Sequence, residues 1–218
     1  MASKTRKRRA GSEGKRRGGR TKPTFIEEAR RRQILDASMQ LFARNGFDQT
    51  SLAEIADAVG VSKGVISYHF DGKRDLGEEV IRRSLREYGT YVQERIAGKT
   101  TGREKLLEFV NACLDFIAEN ADFYMVYFDV QGCFGTAEEK QSMLAFVNSR
   151  TRELLIGIIE QGKNEGNIRK RVSTRNLADV VQAMVDGIQS QIAAEPDSID
   201  IAGCRRIFLD MIGSHIDA

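Results

Sequence analysis

The sequence predicts an all-α protein of about nine to ten helices, with a three-helix unit carrying a helix-turn-helix near its start and a larger helical region after it. Three observations carry that prediction. Apolar residues recur at helical spacing from residue 34 almost to the end, no stretch alternates as a half-buried strand would, and only two prolines interrupt 218 residues. With 41% apolar residues the chain is long enough for one or two domains with a full core, without a metal or a disulfide staple.

Residues 1–22 hold ten Lys or Arg against one acid, among Gly and Ser and almost no apolar side chains. Such a segment cannot offset the entropy of ordering, so residues 1–23 are expected to be a disordered basic arm. Order is expected from Thr24, where Thr24-Phe25-Ile26-Glu27 has the spacing of a capping box. The helix that follows buries Ile34, Ala37, Leu41 and Phe42, and Asn45-Gly46 supplies its left-handed stop. Ser51-Leu52-Ala53-Glu54 offers a second capping box, with Thr50 as the rival cap. Leu52, Ile55, Ala56 and Val59 then line one face of a short helix that Gly60 ends, and two residues later Ser62 caps a third helix over 62–70. Two short helices so closely joined must cross steeply. Ile55, Ala56, Val59 and Ile66 glue the pair, which is the spacing of a helix-turn-helix, and the unit spans residues 24–72.

Residues 73–218 form the second region. A long helix is expected over about 73–97, with Ile81, Leu85, Tyr88, Val92 and Ile96 apolar, followed by one whose Leu106, Phe109, Val110, Cys113, Leu114 and Ile117 imply burial nearly all round. The aromatic stretch Phe123-Tyr124-Met125-Val126-Tyr127-Phe128 precedes a loop expected at residues 131–135. Helical periodicity resumes through Leu144, Val147, Leu154, Leu155 and Ile158, with Gly162 and Gly166 marking its end. Two helices close the chain, one over about 173–194 and one over about 199–216.

Charge is unevenly placed. The arm carries +9 and the remainder −6, so a net +3 hides a basic tail that suits a polyanionic partner, Lys and Arg gaining affinity by releasing counterions from phosphates. Three cysteines without a Cys-x-x-Cys pair and two distant histidines argue against a zinc site, and no cofactor motif is present. No apolar run reaches about 18 residues, so no membrane span is expected. The expected location is the cytoplasm, in association with the nucleoid, with reduced thiols. An enzyme is not expected: there is no phosphate-cradling Gly-rich loop, no ligand-spaced His or Cys, and no nucleophile with a base.

Within the helix-turn-helix, residues 50–76 (TSLAEIADAVGVSKGVISYHFDGKRDL) go beyond a generic pattern. Ile55-Ala56, Gly60-Val61-Ser62-Lys63-Gly64, Tyr68-His69-Phe70 and Lys73, with Leu41-Phe42 and Gly46-Phe47 before them, resemble the N-terminal domain of the tetracycline-repressor (TetR) family of bacterial transcriptional regulators. The resemblance covers roughly residues 34–81. It implies a homodimer that binds a double-stranded DNA operator through helices 1–3, with helix 4 as connector and a C-terminal domain holding a small-molecule effector pocket and the dimer interface.

Base reading falls to Lys63, whose ammonium donates to guanine O6 or N7, to Gly64, which lets the backbone approach, and to Val65 against a thymine methyl. Tyr68, His69 and Lys73 match family positions that meet phosphates, and Thr50, Ser51 and Ser62 join the DNA-binding set as hydroxyl donors. Ser67 stands where many relatives carry tyrosine, a shorter donor. The effector pocket is expected among Phe109, Cys113, Phe116, Tyr124, Tyr127, Phe128, Phe146 and Met184, because aromatic and Met side chains line apolar cavities. The dimer interface is expected along Val181, Met184, Ile188 and Ile192 on one helix and Phe208, Met211 and Ile212 on the next. These readings converge on a ligand-released repressor at a palindromic operator. The alternative is an architectural or weakly specific DNA binder relying on the arm, which competition with random DNA separates from a regulator.

Overall fold

The hydroxyl of Thr24 accepts from the Glu27 N–H while the Glu27 carboxylate accepts from the Thr24 N–H, closing the first capping box and starting α1 (Phe25–Asn45). The computed structural model describes residues 24–132, 136–195 and 198–217, with backbone alone at 132, 137, 139–140 and 142–147. The basic arm, Cys133 and most of the expected loop at 131–135 therefore lie outside the described residues. Among these residues there are nine helices and no strand: α1, α2 (Leu52–Val59), α3 (Lys63–His69), α4 (Lys73–Ala97), α5 (Gly102–Glu119), α6 (Ala121–Gly132), α7 (Ala137–Glu165), α8 (Thr174–Ala194) and α9 (Ile201–Ile216).

The boundaries follow the local chemistry. Ser51 forms the second capping box with Glu54 and so caps α2. Gly60 sits in the left-handed region at φ 71° and its N–H reaches back to Ala56 and Asp57, so α2 stops and α3 begins within three residues. Gly162 lies inside α7; the helix ends at Glu165, before Gly166 at φ 80°. The aromatic stretch after residue 122 is itself helical, α6 running on to Gly132 into the segment expected to be loop.

The core is one continuous cluster with a small part and a large one. In the small one, Ile34, Ile55 and Ile66 are fully buried between α1, α2 and α3, each contributing roughly 1.5–3 kcal/mol of burial. In the large one α5 is the centre, with Leu106, Phe109, Val110, Cys113, Leu114 and Ile117 all buried and α4, α6, α7, α8 and α9 packed around it. Helix α4 belongs to both, burying Leu76 and Ile81 toward the head and Val92 and Ile96 toward the body. A Cβ on Gly77 would come within 2.6 Å of the Phe47 ring, so glycine there lets Phe47 insert beneath α4 and against α6. Arg31–Glu79 (2.5 Å) and Arg83–Asp36 (2.7 Å) pin α1 to α4 at the surface.

Candidate nucleic-acid interface and cavity

Helix α3 is short, and its burial is one-sided. Ile66 and Phe70 are buried, at 0% and 2% exposure, which turns Lys63, Gly64 and Ser67 outward. Val65 is half-buried. Ser62 makes no capping hydrogen bond with its side chain, so its hydroxyl also faces solvent at the start of α3. A Cβ on Gly64 would meet nothing nearer than the Ser62 hydroxyl at 3.6 Å, so this glycine answers no demand of the fold; it leaves the surface flat.

The flanking donors differ from one another. Ser51 is exposed at the start of α2, whereas Thr50 is 1% exposed and its hydroxyl donates to the Gly46 carbonyl at 2.8 Å. Thr50 is thus spent on stapling the turn between α1 and α2, a correction to its expected role as a phosphate donor. Tyr68 is 66% exposed and donates its phenol proton to Glu27 at 2.7 Å, which turns the first residues of α1 toward α3. Glu27, whose part sequence reasoning saw only as a cap, is lowered to about 2 by the Thr24 backbone N–H and by Tyr68. His69 is half-buried, edge-on to Tyr68 at 5.1 Å, and partial burial lowers its pKa with help from Arg31 and Arg30 against Glu27. A neutral imidazole brings one N–H to a phosphate. Lys73 lies over the Phe47 ring, 4.6 Å from its centre, and donates to the Asp48 carbonyl at 2.9 Å, fixing the ammonium beside the head.

Besides the packing of α1 on α4 and α6, one hydrogen bond joins this head to the body. Asp129 on α6 accepts the Phe47 N–H at 2.5 Å across 82 residues of sequence. Its neighbours on α6, Tyr124, Tyr127 and Phe128, line a cavity of about 210 Å³. Leu85 and Tyr88 from α4, Phe109 from α5, Phe123 from α6, Asn148 and Thr151 from α7, and Gln182, Val185, Asp186, Gln189 and Ser190 from α8 complete the wall.

Of the expected pocket residues, Phe109, Tyr124, Tyr127 and Phe128 line the cavity. Three do not, and each for a packing reason. Cys113 lies behind the wall, where it accepts the Tyr88 hydroxyl at 3.0 Å and burial pushes its thiol up to about 12. Phe116 stacks edge-on with Tyr88 at 5.1 Å and faces a second, shallower cleft of about 380 Å³ with Met39 and the exposed Glu87, Glu119 and Asp122. Met184 packs half-buried on another face of α8. The side chain of Phe146 lies outside the described residues. The polar residues of the wall escaped the sequence reading altogether; only the i, i+4, i+7 spacing of Gln182, Asp186 and Gln189 was there to mark them.

The two last helices also need correcting. Val181, Ile192, Phe208 and Ile212 are buried within the chain's own core, while the large apolar side chains left outside are Val180 on α8 and Ile207 and Met211 on α9. Met184 and Ile188 are half-buried between these faces.

A short outward helix with a donor-rich face, carried on a helical body with an internal aromatic cavity, defines a helix-turn-helix transcriptional regulator. Residues 34–80 match the family described as "Bacterial regulatory proteins, tetR family", and residues 102–217 match "BetI-type transcriptional repressor, C-terminal". The chain belongs to the TetR family of DNA-binding regulators. It is 30% identical over 150 residues to the HTH-type transcriptional repressor KstR2 of Rhodococcus jostii, covering 68% of this chain and 72% of that one. Two solved structures share the fold at 21% identity. One is a putative regulator from Saccharomonospora viridis in complex with choline, with a TM-score of 0.74 over 88% of this chain and 99% of that one. The other is FadR from Bacillus subtilis in complex with stearoyl-CoA, at 0.71 over 85% and 98%. Among the described residues no helix is long and apolar enough to cross a membrane.

Proposed function

We propose that the protein is a cytoplasmic, nucleoid-associated repressor that binds a palindromic operator as a homodimer and leaves it when a small molecule occupies the aromatic cavity. The outward face of α3 carries this reading: with Ile66 and Phe70 buried, Lys63, Gly64 and Ser67 are left exposed. One helix-turn-helix reads few base pairs, and a twofold pair doubles the site. The unpartnered Val180, Ile207 and Met211 give α8 and α9 the apolar face such a pair needs. Tyr127 and Phe128 stand within one turn of Asp129 and Tyr124 within two, so a ligand that shifts α6 moves the Phe47 amide and with it the turn before α2.

The +9 arm adds affinity without sequence preference. Deleting residues 1–22 weakens binding to operator and random DNA alike and flattens the salt slope; unchanged slopes would show that the arm stays off the DNA. The whole reading is tested by selecting bound sequences from random duplexes with the full-length protein. The expected result is an inverted repeat preferred over scrambled competitor by at least about 10³-fold. Enrichment of no sequence would overturn it.

A further inference from the structure

We infer that the cavity takes a compact protonated amine, gripped between the carboxylate of Asp186 and the side-chain carbonyl of Gln182. The inference rests on the reading of this cavity as the effector site, and it names the chemistry of the occupant. Gln182 is 6% exposed and lies in the cavity wall. Asp186 lies one turn further along α8, close enough for the Gln182 side chain to act on its carboxyl, while the Gln182 Oε1 is buried with no hydrogen-bond partner. A buried acceptor left unmet is costly, so the group missing here is a donor.

The second observation is charge. Asp186, exposed at the mouth of the cavity, has its carboxyl raised above the usual range by partial desolvation, and no Lys or Arg acts on it among the described residues. A cation brought to this position favours the ionised carboxylate and meets an aromatic wall whose quadrupoles favour positive charge. At about 210 Å³ the cavity lies below the roughly 300–1,000 Å³ occupied by drug-sized ligands, so the occupant is compact. An anionic acyl group would face Asp186 with like charge and leave Gln182 unmet. A quaternary ammonium supplies the charge and no N–H. A primary or secondary ammonium answers both demands.

Calorimetry on the full-length protein with n-butylamine hydrochloride, tetramethylammonium chloride and sodium hexanoate tests this at millimolar ligand. Butylammonium is expected to bind at least roughly tenfold more tightly than either comparator, and Asp186→Asn to lose at least roughly tenfold of that affinity. Gln182→Met is expected to weaken butylammonium while leaving tetramethylammonium unchanged. Circular dichroism and melting temperature confirm that each variant is folded. Equal binding of tetramethylammonium or hexanoate, no binding of butylammonium, or an unaltered Asp186→Asn variant overturns the inference. Release of selected operator DNA by hexanoate would do so while sparing the regulator itself. An absence of any preferred DNA sequence would instead sink the regulator and leave the calorimetric result standing.

Discussion

The reading head and the helical body use the same kind of element for opposite ends. In the head, the working side chains come from one seven-residue helix and its flanks, and they point away from a small core. In the body, they come from α4, α5, α6, α7 and α8, and those that are buried, Phe109, Phe123 and Tyr124 among them, make much of the cavity wall part of the core. Chemistry and stability are separable in the first region and fused in the second. Substitutions can force that difference into view.

The largest effect is expected in the body. Phe109 is 2% exposed and lines the cavity, so Phe109→Ala should lose about 3–5 kcal/mol of stability and the effector response together, both readable from thermal melts with and without ligand. Lys63→Ala in the head should leave the melting temperature unchanged, within about 0.5 kcal/mol, because the side chain is exposed. Its affinity for the selected operator should nevertheless fall by about 1–3 kcal/mol, with specificity relaxed at the base pair it reads. A melting shift in Lys63→Ala comparable to that of Phe109→Ala would abolish the distinction.

The same contrast explains what the sequence made legible. The head was readable because its pattern is local: Ser51 and Glu54 are three residues apart, Gly60 sits between two short apolar stripes, and Ile66 and Phe70 announce by spacing which face of α3 is left over. Thr50 was misjudged because its carbonyl partners belong to the preceding turn. In the body, periodicity located the helices and the buried character of α5, and stopped there. Val181 and Val180 are adjacent and equally apolar, yet one is in the core and the other outside, a choice made by where α5 and α6 press on α8. Gln182 is an ordinary polar residue on a helix until four other helices close around it, and Asp186 is one until it comes to stand at the rim of the cavity they form. No spacing rule reports that.

A middle-sized effect is expected where the two regions meet. Asp129→Ala removes the acceptor of the Phe47 N–H, the contact that spans 82 residues. If α6 carries the cavity's state to the head through this bond, the variant should still bind operator, while ligand-induced release weakens by about 0.5–2 kcal/mol of coupling. The measurement is operator affinity with and without saturating effector, in wild type and variant. An intact ratio would assign the coupling to the packing of Phe47 and α1 on α4 and α6 rather than to this bond.

The smallest effect concerns Glu27, which the head uses to hold Tyr68 at the start of α1. Its carboxyl is lowered from 4.5 to about 2, so the folded state favours the ionised form and the stabilisation is complete above the unfolded value. It is lost as pH falls from about 5 toward 2, when the carboxyl becomes protonated. Glu27→Gln keeps a capping side chain and removes the charge. The melting temperature of wild type should therefore exceed that of the variant at neutral pH by a small margin that closes as the medium is acidified. Other carboxylates titrate identically in both proteins, so the difference isolates this one. A margin that stays constant down to pH 2 would mean that the carboxylate gains nothing from Thr24 and Tyr68. At neutral pH the variant also loses a negative charge beside α3, so it should hold random DNA slightly more tightly, the one change in the head expected to strengthen binding.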